Sequence, residues 1–356
     1  MGAAAIAPSP YRTGVLPLHP DGLPLVVEPA GSRDAAALAE WLRANAAWTA
    51  DRLARHGAIL FRGFDVPDAP TFERVARAVD DDLKNDYLGT SPRNALTGFV
   101  FTASELPPYY PIPQHCEMSF VAHPPRRLFF CCLTEPADGS GETPLADFRK
   151  VLADVDPAIV ARFEARGLRI VRNYSGPSGG SRFDLWRLKR WDEMFLTTDR
   201  VEIEARCRAE GFDAEWTAGD GLRLVSTQAV IRRHPTTGEA VWHNHLTTFH
   251  PSQAAGEYRR IHRLRPSIRH LAFWQLARVL EGLQRRRPSE DRAMDCTYAD
   301  GSEIPLADVE AVRDAVWRHL VVVPWRRGDV LAIDNFAVAH GRLPYRGPRE
   351  IAVCWA

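Results

Sequence analysis

Cysteine is sparse in this chain of 356 residues, and neither sign of charge is in excess. The six cysteines are Cys116, Cys131, Cys132, Cys207, Cys296 and Cys354. No pair has C-x-x-C spacing and Cys131 and Cys132 are adjacent, which excludes the usual thiolate zinc grouping and a secreted disulfide framework. Several lie in apolar runs, where a thiol packs as a small hydrophobe, so a reducing compartment is expected. Basic and acidic residues number 45 each, for a formal net charge of zero. Nothing global therefore attracts nucleic acid or a membrane surface. No apolar run approaches the ~20 residues of a membrane span. The opening MGAAAIAPSPYRTG has no basic region followed by a long apolar core, so no signal peptide is expected. There is no internal repeat. These absences predict a soluble, cytoplasmic protein with no nucleic-acid or membrane partner.

The apolar fraction of 45% is ample for a buried core. The length suits one large domain or two smaller ones. Residues 1–30 are rich in Pro and Gly and are expected to form a surface extension, with one domain over 31–356. Residues 34–57 read as a helix: apolar residues recur at helical spacing and Gly57 can cap the end. AILFRGF reads as a strand and residues 68–83 as a second helix. RRLFFCCLTEPA is an apolar strand ended by Pro136, and VRNYSG (171–176) is the tail of another. Short strands and turns, with helices early and in insertions, suggest a mainly β jelly-roll core with helical decoration.

The chemistry centres on PIPQHCEMSF (111–120). His115 and Glu117 are two positions apart, and side chains at i and i+2 of an extended strand share a face. An imidazole and a carboxylate converging there make two thirds of the facial triad of non-haem Fe(II) sites. The pattern recurs at His19-Pro-Asp21, which reads as a solvated turn in a Pro-rich stretch. Support for His115 comes from the C-terminal segment. Gly328-Asp329 is a turn signal, VLAID (330–334) a strand, and His340 follows. Glycines and prolines then break the chain, and EIAVCWA closes it as a last strand. Arg349 stands nine residues after His340. Strand alternation puts it on one face with Ile351 and Val353, where a guanidinium among apolar neighbours needs an anionic partner.

His-x-Glu, a distant His and an Arg about ten residues further on together resemble the taurine dioxygenase-like superfamily of Fe(II)/2-oxoglutarate oxygenases. The likeness runs from about residue 55 to the end and leans toward the clavaminate synthase-like, syringomycin-type hydroxylase branch. It is carried by HGAILFRGF (56–64), TSPRNALTGFVFTASELPP (90–108), IPQHCEMSF (112–120), GSGETPLADFRKVL (139–152), GLRIVRNY (167–174), HPTTGEAVWHN (234–244), YADGSEI (298–304) and GDVLAIDNFAVAHGRLPYRGPREI (328–351).

The resemblance implies a double-stranded β-helix with a variable lid over about 180–300. It implies Fe(II) held by His115, Glu117 and His340, and 2-oxoglutarate anchored by Arg349 and Thr143. Arg342 and Arg346 compete with Arg349 for that task. O2 is then the oxidant, succinate and CO2 the co-products, and hydroxylation of an aliphatic C–H the reaction. Relatives act on amino acids, often tethered to an acidic carrier protein in specialised-metabolite pathways. Family halogenases carry a small residue in place of the carboxylate, so Glu117 argues against halogenation. Desaturation or ring closure uses the same triad.

Asn244, Arg93, Ser119 and Arg342 are candidate substrate residues, Arg342 with a structural role as its alternative. The branch usually reads Phe-Asn-Gln where this chain has His243-Asn244-His245. His243, His245 and His250 are either a second metal site or polar pocket residues, and the missing carboxylate or Cys at ligand spacing favours the pocket. Taken alone, GSGETPLAD (139–147) is a Gly-rich turn leading to a helix beginning near Asp147. Residues 256–287 carry nine arginines against few acids, which reads as a solvated helix face or a docking surface for an acidic partner. Two other classes remain open: a jelly-roll metal dioxygenase that uses no 2-oxoglutarate, and a non-catalytic scaffold on the same fold.

Overall fold

The computed structural model describes residues 11–15, 22–177 and 189–356. A seven-stranded sheet runs in the spatial order Tyr11–Val15, Leu25–Pro29, Ala58–Phe61, Val330–Asp334, Arg127–Thr134, Glu350–Trp355, Phe101–Thr102. A four-stranded sheet runs Leu320–Val321, Leu145–Asp147, Val338–Arg342, Ile112–His115. A third sheet joins Met294–Tyr298, Leu168–Tyr174, Gly221–Gln228 and Asp213–Thr217. Central strands thus come from both ends of the chain.

Alternation along the strands of the large sheet builds two cores, because successive side chains point to opposite faces. Ile59, Phe61, Phe129, Cys131, Val330, Ala332, Ala352 and Cys354 join one cluster with Leu38, Leu42, Phe72 and Val75 of the N-terminal helices. Leu60, Leu128, Phe130, Leu331, Ile333, Ile351 and Val353 join the other with Leu145, Ala146, Val338 and Ala339 of the four-stranded sheet. The large sheet is therefore covered by helices on one side and by the smaller sheet on the other. All six cysteines are free and buried, as their apolar settings predict.

Several expectations need correction. The helix expected over 34–57 is two helices, Ala35–Ala44 and Ala46–His56, separated at Asn45, whose backbone leaves helical geometry. Gly57 does cap the second, in the left-handed region at φ 75°. The stretch before residue 31 is not only surface wrapping, since Leu25–Pro29 pairs in parallel with Ala58–Phe61 and buries Leu25, Val26 and Val27. A turn at PTTGE (235–239) joins strands of two residues each, Arg232–Arg233 and Ala240–Val241. The longer hairpin in that region is Asp213–Thr217 with Gly221–Gln228.

The expected basic run lies on the helices Gln253–Leu264 and Ile268–Gln284. Much of its charge is met from elsewhere in the fold. Arg259 and Arg260 pair with Glu310, Arg260 also with Asp314, Arg265 with Glu142 and Arg285 with Glu303. Local sequence counts missed these partners because they sit on other elements. Among the described residues no helix is long and apolar enough to cross a membrane.

The strand Val338–Arg342 pairs antiparallel with Ile112–His115, and His340 stands opposite His115. Gly341 makes that approach possible. A Cβ there would lie 2.5 Å from the Ile112 carbonyl oxygen and 2.9 Å from Gln114 Nε2. Gly341→Ala should push the two histidine strands apart, with unchanged far-UV circular dichroism but iron affinity lower by about tenfold or more. Anaerobic calorimetric titration with Fe(II) measures it, and wild-type affinity in the variant would contradict the close-approach argument.

Candidate functional site

His115 ends its strand, and the chain turns at once: residues 117–120 form a turn, with Met118 at φ 50°. Glu117 therefore reaches His115 through a turn, not through the alternation of a strand. Ser119 N–H donates to the Cys116 carbonyl and Val121 N–H to that of Met118. Asn335 fixes the turn from the other half of the chain. Its Oδ1 accepts from Glu117 N–H at 2.7 Å, and its Nδ2 donates to the Glu117 and Pro125 carbonyls.

The ligand atoms of His115, Glu117 and His340 lie within 4.8 Å of one another, and all three residues are buried. His115 Nδ1 is 2.8 Å from the Pro113 carbonyl, so it carries the proton and Nε2 keeps its lone pair. His340 Nε2 lies 3.8 Å from Glu117 Oε2. Burial lowers the pKa of both imidazoles; neighbouring His115 lowers that of His340 further, whereas Glu117 works against the shift in His115. Neutral imidazole is the metal-binding form. Arg93 donates to Glu117 Oε2 at 2.7 Å, yet an ionised carboxylate has about four lone-pair sites and can still ligate. Two imidazole nitrogens and one carboxylate suit a divalent first-row metal.

The three residues share a cavity of about 40 Å³ with Thr143, Arg342 and Arg349. Arg349 Nε donates to the Gly141 carbonyl at 2.7 Å, and no acid pairs with the guanidinium among the described residues. Burial and the adjacent Arg342 lower it to about 10, so it stays cationic at neutral pH. The Thr143 hydroxyl accepts from Trp325 Nε1 at 3.2 Å. Indole is a donor only, so the Thr143 O–H remains free to donate. A guanidinium and a hydroxyl donor beside the triad suit a carboxylate-bearing co-substrate. Arg346 is exposed.

The candidate substrate residues divide. Arg93 lines the small cavity and stacks on Tyr87, with its guanidinium carbon 4.1 Å from the ring centroid. Arg342 also lines this cavity, and its guanidinium donates to the Leu106, Pro107 and Tyr110 carbonyls. Ser119 is spent on His245, Oγ to Nδ1 at 2.5 Å. Asn244 is spent on its own loop, donating to the Val230 carbonyl and accepting from Leu246 N–H. Neither lines a cavity beside the triad.

The three central histidines do not gather. His243 stacks on Phe336 with centroids 4.7 Å apart, His250 bonds Ser252, and only His245 reaches the site, its ring centroid 4.8 Å from that of His115. The triad is the one metal-capable group of His, Cys, Asp and Glu among the described residues. Sequence reasoning missed Asn335 and Tyr87. Asn335 directly follows the VLAID strand, but nothing in sequence reveals that it clamps a turn formed by residues 117–120.

The family described as taurine catabolism dioxygenase TauD, TfdA matches residues 15–355. The dapdiamide synthesis protein DdaC of Enterobacter agglomerans is 32% identical over 302 residues, covering 85% of this chain and 82% of that protein. A clavaminate synthase-like protein of Arabidopsis thaliana is 32% identical over 305 residues, covering 83% and 80%. Among solved structures, PvcB of Pseudomonas aeruginosa is similar at a TM-score of 0.54 and 14% identity, covering 100% of this chain and 94% of that one. A taurine dioxygenase from Burkholderia xenovorans follows at 0.50 and 15%, covering 98% and 89%. At these identities the structures speak for the fold alone.

Burial, with help from neighbouring arginines, holds His243 and His250 down at about 3, below the ordinary 6.5. The unfolded chain therefore takes up these protons first as pH falls. Stability from the two is complete above about 6.5 and is lost toward pH 3, at about 1.4 kcal/mol per group per pH unit. His243→Phe, which keeps the stack on Phe336, should reduce the stability lost between pH 7 and 5 by about 2 kcal/mol. Urea denaturation of metal-free protein at both pH values reads this, and an unchanged loss would mean that His243 is not held neutral.

Proposed function

This chain belongs to the TauD, TfdA family of iron- and 2-oxoglutarate-dependent oxygenases, and from that premise we propose that it hydroxylates an aliphatic C–H of an amino-acid-derived substrate. The observation that carries the reading is the meeting of His115, Glu117 and His340 with Arg349 and Thr143 around one small cavity. In this reading His115, Glu117 and His340 would hold Fe(II). Arg349 and Thr143 hold the distal carboxylate of 2-oxoglutarate by charge-assisted and hydroxyl hydrogen bonds. Bound iron, with 2-oxoglutarate and O2, supplies the oxidising power for C–H hydroxylation, at the cost of converting the co-substrate to succinate and CO2.

The chain's own contribution is orientation and charge. The Pro113 carbonyl fixes the His115 tautomer, and Asn335 fixes the turn that presents Glu117. Arg93 balances the Glu117 carboxylate in a buried setting. Burial of the triad keeps bulk water from the reacting centre. The large and four-stranded sheets are read as the two halves of a double-stranded β-helix within one domain, which takes in the strands Tyr11–Val15 and Leu25–Pro29 besides the expected 31–356. Residues 180–300, of which 180–188 lie outside the described residues, are read as its lid. Presentation of the substrate on an acidic carrier is the narrower form of the proposal. Arg263, Arg269, Arg286 and Arg287, which make no ion pair among the described residues, support it.

Anaerobic addition of Fe(II) and 2-oxoglutarate should produce the weak visible charge-transfer band of a chelated keto acid. Arg349→Ala should raise the 2-oxoglutarate concentration needed by about 10- to 100-fold, the loss of one charged hydrogen-bonding partner. Iron bound without any band would favour a metal dioxygenase independent of 2-oxoglutarate. A band indifferent to Arg349→Ala would remove that residue as the anchor.

A further inference from the structure

A second cavity, of about 360 Å³, adjoins the first and shares Ile112, His115 and Glu117 with it. It is the space beside the triad into which a substrate fits. Its wall is built from rings. Tyr109 and Tyr258 each stack on Phe273, with centroids 5.4 and 5.2 Å apart. The Tyr258 hydroxyl donates to the Tyr109 carbonyl and ties the two wall segments together. The helix Ile268–Gln284 presents Phe273, Leu276, Ala277 and Leu280 to the space, at i, i+3, i+4 and i+7. Ala277 is the helix's one buried side chain, and Leu276 of the same stripe is 54% exposed, so the cavity is open to solvent along this helix.

Charge is scarce on this lining. Among the described residues it includes no Lys or Arg, and its two acids are Glu117 and Glu281. Glu117 is committed to the triad and to Arg93. Arg93 and Lys189 stack on Tyr87, and neither lines the space. Glu281 stands two helical turns beyond Phe273, about 12 Å along the axis. Its nearest cation, Arg285, is at 3.7 Å, and Gln284 accompanies it on the same lining. A carboxylate or sulfonate entering such a space would leave water for ring faces and an acid, with no Lys or Arg among the described lining residues to meet it. An ammonium would meet aromatic faces and a carboxylate, both favourable to it.

We propose that the substrate is a largely apolar, ring-bearing or branched molecule with no free anionic group, and that Glu281 receives a cationic or hydrogen-bond-donating group on it. This rests on the oxygenase reading for where oxidation occurs, not for what binds. It separates the site from one built for a small acid such as taurine or aspartate. It also agrees with an acyl group presented as an ester or thioester, in which the carboxylate is masked.

The test is anaerobic isothermal titration calorimetry of the protein loaded with Fe(II) and 2-oxoglutarate, using three probes with one body and different ends: 4-phenylbutylamine, 4-phenylbutanamide and 4-phenylbutyrate. The amine should bind most tightly and the carboxylate at least about tenfold more weakly. Glu281→Gln should bring the amine to within about twofold of the amide and leave the amide unchanged. Ala277→Trp should weaken all three by filling the space. A carboxylate that binds as well as the amine, equal losses for amine and amide in Glu281→Gln, or no binding of any probe would overturn the proposal. Repeating the titrations on metal-free protein separates the two readings. If iron and 2-oxoglutarate do not load but the probe order holds, the oxygenase reading fails and the substrate class stands.

Discussion

The site depends on one pairing of strands. Ile112–His115 lies against Val338–Arg342 with His115 opposite His340, and Gly341 allows the two backbones to come that close. A register slip of one residue would send one histidine to the far face of the small sheet. The same C-terminal stretch contributes the other supports. Asn335, just before the His340 strand, holds the turn that presents Glu117, and Arg349, just after it, stands beside the triad with no acid partner among the described residues. Residues 328–351 act as a frame onto which the His115 turn is docked. Substitutions at Gly341 or Asn335 thus act on the metal centre without touching the metal.

Buried charge around this frame is balanced locally. Arg93 meets Glu117, Arg62 meets Asp329 at 2.6 Å, and Arg127 meets Asp334 at 2.8 Å. Removing one partner of such a pair leaves a buried charge unmatched, which costs more than the pair contributes. Arg349 is the exception beside the triad. Its neighbour is another cation, Arg342, which is spent on three backbone carbonyls. An anion in the small cavity would relieve both the burial and the repulsion.

The sequence made the strands of the large sheet readable because their alternation and turn residues are local signals. VLAID and EIAVCWA correspond to Val330–Asp334 and Glu350–Trp355. His115, Glu117, His340, Thr143 and Arg349 were named from pattern and family likeness, and the fold gathers them. What was not legible is where side chains spend their hydrogen bonds. Ser119, Asn244 and Arg342 have the chemistry of substrate contacts, yet each makes hydrogen bonds to a partner that only the fold brings near. Nor could the sequence show how much of the basic run is paired, since Glu142, Glu303, Glu310 and Asp314 meet it from distant segments. His115 and Glu117 are neighbours through a turn and not through strand alternation, because the strand ends at His115.

The two adjoining cavities divide polarity between them. The small one gathers cations and hydroxyl donors around the triad, and the large one is walled by rings and a single helix stripe. If the substrate is of the proposed apolar class, it and the anionic co-substrate would be sorted by charge, because each would be badly solvated in the other's space. His115 and Glu117, common to both linings, stand where the two molecules would meet. In that proposal specificity comes as much from the lack of Lys or Arg among the described residues of the large wall as from the groups present on it. One introduced Lys or Arg on the Ile268–Gln284 stripe would be enough to blur the sorting.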